Sequence, residues 1–217
     1  MILGLSDGFQ IRQASEADRP ALSSICLQTG AAGEDATARE DDGTLLGLIF
    51  AVPYQVFEPE LAFVLEGPGG VCGYVLGALD TKSFNARLAA DWYPQLQQRI
   101  TAPPVDRALW SGSDWARHHI HHPTIEMPRA LAPYPSHGHI DLLPDARGRG
   151  FGRELMGTLE RKLAQLGSPG MHLGVAPSNE RAREFYRRIG FEEMQAPDLP
   201  EQTVYMVKRL GGSSARP

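Results

Sequence analysis

The stretch Pro144-Asp145-Ala146-Arg147-Gly148-Arg149-Gly150-Phe151-Gly152 joins a predicted strand directly to a long predicted helix. Its three alternating glycines remove the side chains that would keep a ligand off the backbone. Their N–H groups can then converge at the positive end of the helix dipole, where a pyrophosphate is stabilised. Arg147 and Arg149 add charge at the same place. The dinucleotide fingerprint does not fit, because its third glycine would fall on Arg153 or Leu155. A Walker loop does not fit either, since no Gly-Lys-Ser/Thr follows. The plain alternative is a glycine-rich turn with solvated arginines.

Outward from this turn the pattern is regular. Residues 139–143 read as the strand before it and 150–166 as the helix after it, with Leu155, Leu159, Leu163 and Leu166 on one face. A strand at 171–175, a helix at 179–189 and strands at 191–194 and 202–208 follow. Upstream, 9–13 reads as a strand, and Ser15 with Asp18 opens a helix through Leu22, Ile25 and Leu27. Residues 30–43 read as a loop, and 44–52 as a helix stopped by Pro53. Strands at 61–65 and 71–79 flank Gly67-Pro68-Gly69-Gly70, a hairpin signal.

Residues 82–136 differ in texture. An amphipathic helix is expected over 83–100, then a short helix capped by Ser113 or Asp114, then irregular proline-rich chain. The order is β-α-α-β-β, an insertion, then β-α-β-α-β-β. It predicts one α/β (α+β) domain over 1–217, a mixed central sheet of about seven strands flanked by helices. The helical insertion (82–136) falls between the third and fourth predicted strands. Residues 211–217 are expected to be a frayed tail.

Composition bounds the function. The chain has 217 residues, 42% apolar and 22% charged, with a formal net charge of -5. That charge gives no footprint for nucleic acid and would favour a cationic partner. Cys26 and Cys72 have neither disulfide-scaffold nor metal-ligand spacing. The start lacks the form of a signal peptide, and the apolar run at 45–56 is broken by Pro53, so no membrane span and a cytoplasmic address are expected.

Two blocks in register resemble the GNAT acetyltransferase family. The first is the Gln/Arg-x-x-Gly-x-Gly/Ala signature, here Arg147-x-x-Gly150-x-Gly152. The second is Asn179-Glu180-Arg181-Ala182-Arg183-Glu184-Phe185-Tyr186-Arg187-Arg188-Ile189-Gly190-Phe191. The resemblance covers residues 140–194 and implies a GNAT fold with acetyl-CoA in a V-shaped cleft between splayed strands. It implies backbone pairing of Leu142 and Leu143 with the pantetheine arm. Arg147, Gly148, Arg149, Gly150, Phe151, Gly152 and Arg153 would surround the pyrophosphate. Asn179 would bond the arm, and Tyr186 would lie near the thioester sulfur. Phe63-Val64-Leu65-Glu66-Gly67-Pro68-Gly69-Gly70-Val71-Cys72-Gly73-Tyr74, with Trp92-Tyr93-Pro94, is similar to the acetyltransferase-like C-terminal domain of animal O-GlcNAcases. That domain lacks the Arg/Gly turn, so the intact turn implies a free-standing, cofactor-competent relative without glycosidase activity.

Acyl transfer to an amine needs a base, a polarised thioester carbonyl and a stabilised leaving thiolate. Backbone N–H groups near Leu143 suit the carbonyl. Tyr186 suits the thiolate, or else it is a core aromatic beside Phe185. Asp141 is the first candidate base and His139 the second, on one face of their strand; Asp141 could equally be structural. His118-His119-Ile120-His121-His122 lacks zinc spacing, so no metal is expected. Asp114 and Trp115 could cap an acceptor site. The expectation is an N-acetyltransferase acting on a primary amine by direct attack in a ternary complex, as a monomer or homodimer. The alternative is a catalytically silent acetyl-CoA-binding module.

Overall fold

The computed structural model describes residues 2–211; the tail expected over 211–217 falls, beyond Gly211, outside the described residues. An edge strand β1 (Ile2–Gly4) precedes β2 (Gln10–Gln13). Ser15 and Asp18 form the expected capping box, with the Ser15 N–H donating to Asp18 at 2.7 Å. That turn leads into α1 (Arg19–Thr29). Two short helices follow, α2 (Leu45–Phe50) and α3 (Val52–Phe57). The single helix expected over 44–52 is therefore wrong. The break is at Ala51 (φ -129°, ψ -58°), and Pro53 sits in the first turn of α3, where its missing N–H costs nothing.

The hairpin β3 (Ala62–Gly67) and β4 (Gly70–Ala78) forms as expected. Next come α4 (Thr81–Arg87) and α5 (Tyr93–Gln97), joined through a π-type turn at Leu88–Trp92. Pro94 accounts for that turn, because it has no N–H for an α-type bond. A third helix, α6 (Asp114–His121), packs on α5 and α2. The chain then runs through β5 (Ser136–Leu142), α7 (Phe151–Gln165), β6 (Gly170–Val175), α8 (Glu180–Arg188), β7 (Glu192–Met194) and β8 (Val204–Arg209).

The strands form one mixed eight-stranded sheet in the order β1-β2-β3-β4-β5-β6-β8-β7. The expected seven become eight because Ile2–Gly4 pairs with β2, which also moves the helical insertion to between β4 and β5. Every pairing is antiparallel except β5 with β6, which are parallel and meet only at Ser136–Met171 and His137–His172. Beyond His137 the two strands part. That divergence sits mid-sheet, where two strand edges open onto the same gap.

Helix α7 covers one face of the sheet, burying Leu155, Leu159 and Leu163 against Phe63, Val75, Met171 and Met206. Helices α1 and α2 cover the other, over Val64, Tyr74 and Leu76. The insertion builds its own cluster around Phe84, Tyr93, Leu96 and Ile120, joined to α2 through Leu45 and Ile49. Leu159 is fully buried at the centre of the α7 face. Leu159→Ala should therefore lower stability by about 2–5 kcal/mol, read from the urea midpoint at constant slope. Among the described residues, no helix is long and apolar enough to cross a membrane.

Candidate functional site

The gap between β5 and β6 is the mouth of a cleft of about 460 Å³, floored by the turn and flanked by α7 and α8. Backbone alternation fixes which part of β5 faces it. The Leu143 N–H donates to the Cys72 carbonyl at 2.9 Å, so odd-numbered residues of β5 bond to β4. Ile140 and Leu142 therefore turn their backbone groups toward the gap. Of the expected pair, Leu142 faces the cleft and Leu143 does not. The Leu143 amide is spent on Cys72 and cannot polarise a carbonyl. Ile140, which the sequence reading missed, takes its place.

Gly148 (φ 73°) and Gly150 (φ 83°) both adopt the left-handed conformation, and a Cβ on either would have nothing within 4 Å. The backbone there demands glycine by its dihedral angles while open space lies in front of it. Gly150 then caps α7, whose first N–H groups point into that space. Gly152 has a different reason: a Cβ would meet the Phe185 ring at 3.2 Å, so it lets α8 lie close to α7.

The arginines of the turn divide. Arg147 donates to the Leu142 carbonyl and to the Gly33 carbonyl, both at 2.8 Å, stapling the loop after α1 onto the cleft. Burial, and then Arg181, lower its pKa. Arg149 is a correction. It pairs with Asp7 at 2.6 Å and lies over the Phe9 and Phe151 rings, outside the cleft lining. Phe151 is likewise buried in the core, so only its backbone can serve a ligand. Arg153 lines the cleft, as does Arg181, which went unassigned although it lies in the second sequence block. Among the described residues neither has a carboxylate partner. Asn179 caps α8 through the Ala182 N–H at 3.1 Å and reaches the cleft beside Gly33.

At the other end lies a polar network. Tyr74, on β4 opposite Asp141, donates its hydroxyl to Asp141 Oδ2 at 2.5 Å. His139 Nε2 lies 2.9 Å from the same oxygen and 3.0 Å from the Tyr74 hydroxyl. Burial alone would push the His139 imidazole down, but the Asp141 carboxylate outweighs it and raises the pKa to about 10. His139 is therefore an imidazolium at neutral pH, with no lone pair to act as the base. Tyr186 lies in the cleft lining between Phe185 and Phe191, its pKa raised by burial and by Asp141, so its hydroxyl stays a donor. Tyr74 carries no local motif; only strand register brings it to Asp141.

His137, one residue pair deeper, is structural. Thr81 gives its own proton to the Pro135 carbonyl, so His137 Nδ1 donates to Thr81 and Nε2 accepts from Tyr54, each at 2.8 Å. Burial keeps that ring neutral, its pKa lowered to about 3.

The insertion meets this end through aromatic rings. Phe50 lies 6.4 Å from His139 and 6.3 Å from Trp115, ring centre to ring centre. Asp114 is a second correction: its carboxylate accepts from the Ser111 N–H and from Arg117, so it caps its own turn. The histidines of α6 diverge, His119 toward Tyr93 and His121 toward the Ile100 carbonyl. Among the described residues no group of three or more His, Cys, Asp or Glu could hold a metal ion.

The Acetyltransferase (GNAT) family matches residues 124–191, the segment carrying β5, the turn and α8. O-GlcNAcases of Rattus norvegicus and Mus musculus are 29% identical over 153 residues, 70% of this chain. The chain spans only 17% of those relatives. The solved structure of SsHAT superposes with a TM-score of 0.86 at 37% identity, covering 94% of this chain and 100% of that one. A phosphinothricin acetyltransferase of Sinorhizobium meliloti, solved in complex with AcCoA, shares the fold. Its TM-score is 0.54 at 16% identity, over 95% of this chain and 91% of that one. With the splayed strands, the Arg/Gly turn and the α8 block all in place, the chain belongs to the GNAT family of acetyltransferases.

Proposed function

We propose that the chain transfers the acetyl group of acetyl-CoA to a primary amine by direct attack in a ternary complex. The observation that carries this is the cleft itself. It joins a glycine-lined anion cradle at one end to a carboxylate and a buried phenol at the other. The residues fit the cosubstrate: a diphosphate suits the open backbone at Gly148 and Gly150, and the free cations Arg153 and Arg181 suit its phosphates. The Ile140 backbone and the Leu142 N–H suit an amide-bearing arm; the Leu142 carbonyl is already taken by Arg147. Acetyl-CoA, when bound, supplies an activated thioester.

The chain's own groups then divide the proton work. Asp141 accepts the proton that the amine nitrogen sheds as the N–C bond forms. Tyr186 donates to the sulfur as the C–S bond breaks, so one proton passes from nitrogen to sulfur overall. His139 and Tyr74 hold Asp141 through its Oδ2 oxygen. Between turnovers Asp141 returns its proton to solvent and Tyr186 takes one up.

Calorimetric titration with acetyl-CoA, followed by thiol release across a panel of primary amines, tests the reading. Saturable binding and amine-dependent thiol release are expected. Binding without release from any amine would favour the silent module, and no binding would end both readings. Arg181→Ala should weaken acetyl-CoA about tenfold, with a shallower salt dependence of the Kd, because it removes one exposed phosphate contact. An unchanged Kd would take Arg181 out of the phosphate site.

A further inference from the structure

The acidic run Glu40-Asp41-Asp42 lies in the loop between α1 and α2, against the start of α6. Two of these carboxylates are held by partners within the chain. Asp41 accepts from Arg117 at 2.7 Å and from the Ser113 N–H. Asp42 accepts from the Thr44 N–H at 3.0 Å and its hydroxyl at 2.6 Å. Glu40 is different. Its Oε1 accepts the Trp115 indole N–H at 2.9 Å, while Oε2 is shut off from water and has no donor among the described residues. The Glu40 carboxylate therefore has no cationic partner among the described residues.

The surface beside it is aromatic and open. Trp115 is 39% exposed and Phe50 36%, and the rings stack at 20°. Two ring-to-ring steps, 6.3 and 6.4 Å, lead from Trp115 across Phe50 to His139, which holds Asp141. His119, also against Phe50, is kept neutral by burial, and Arg117 is already paired with Asp41 and Asp114. The one cation on this path, the His139 imidazolium, is paired with Asp141, and the ring faces attract a cation.

We infer that this face binds the far end of the acceptor: a second cationic group, resting on Trp115 and Phe50 and paired with Glu40. The acceptor class is thus a diamine or a similarly dibasic amine. The inference rests on the transferase reading for which end reacts, but the cation site can be measured without turnover.

The test is calorimetric titration of 1,8-diaminooctane and of octylamine into protein loaded with CoA, where no transfer can occur. The wild type should bind the diamine about tenfold more tightly, the scale of one charge-assisted hydrogen bond. Added sodium chloride should shrink that preference. Glu40→Gln should bring the ratio of the two affinities to about one while CoA itself still titrates, which reports an intact fold. Equal affinities in the wild type, or a preference that survives Glu40→Gln, would overturn the inference. A diamine preference without thiol release from acetyl-CoA would remove the transferase reading and leave the cation site standing.

Discussion

Asp141→Asn is expected to lower kcat about 10²–10⁴-fold while leaving acetyl-CoA affinity unchanged. The substitution keeps the shape of the side chain, and the amide oxygen can still accept from Tyr74. What it removes is the proton acceptor in the cleft lining and the charge that holds His139 as a cation. Affinity should hold, because Asp141 and His139 lose opposite charges together and the glycine cradle is untouched. Steady-state thiol release beside a calorimetric titration separates the two effects. A kcat within about threefold of wild type would show that another group accepts the proton.

The same variant makes a separate statement about pH. His139 titrates at about 10 in the native chain, above its ordinary 6.5. Its stabilising contribution is therefore fully present below pH 6.5 and fades as the pH climbs through 10. Asp141→Asn abolishes the pair and leaves burial to act alone on the imidazole. The gap in unfolding temperature between wild type and variant should be widest near pH 6 and should narrow by pH 10. A gap that stays constant over that range would mean the ion pair contributes no stability.

What the sequence made legible follows from range. The Arg/Gly turn and the leucine stripe of α7 are local, so spacing alone located them. The capping box at Ser15 was legible for the same reason. Properties set by register were not. Whether Leu142 or Leu143 faces the cleft turns on a one-residue alternation, which the Cys72 carbonyl settles from the neighbouring strand. Tyr74 reaches Asp141 across 67 residues, and Glu40 reaches Trp115 across 75. Arg149 looked like a ligand because charge beside glycine reads as a phosphate site. Asp7 and Phe9, from the turn between β1 and β2, hold it elsewhere. The insertion could be bounded but not aimed, because its orientation depends on Phe50, a residue of a different element.

Tyr186→Phe should have the second largest effect, and a smaller one than Asp141→Asn for a chemical reason. A free thiol titrates near ~8.5, so the leaving thiolate is only a modestly strong base and can depart with little help. The expected loss is therefore at the low end of general-acid catalysis, about 10²-fold in kcat. It should appear in the single-turnover rate, which reads the chemical step apart from product release. Stability should barely move: the ring keeps its packing between Phe185 and Phe191, and the hydroxyl has no hydrogen-bond partner among the described residues. Because the native phenol stays protonated through the neutral range, the fold-loss should also be independent of pH between about 6 and 9. That combination separates a proton donor from a core aromatic. A merely structural tyrosine would lose stability with the hydroxyl, or would leave the single-turnover rate untouched, and either result would return Tyr186 to the core.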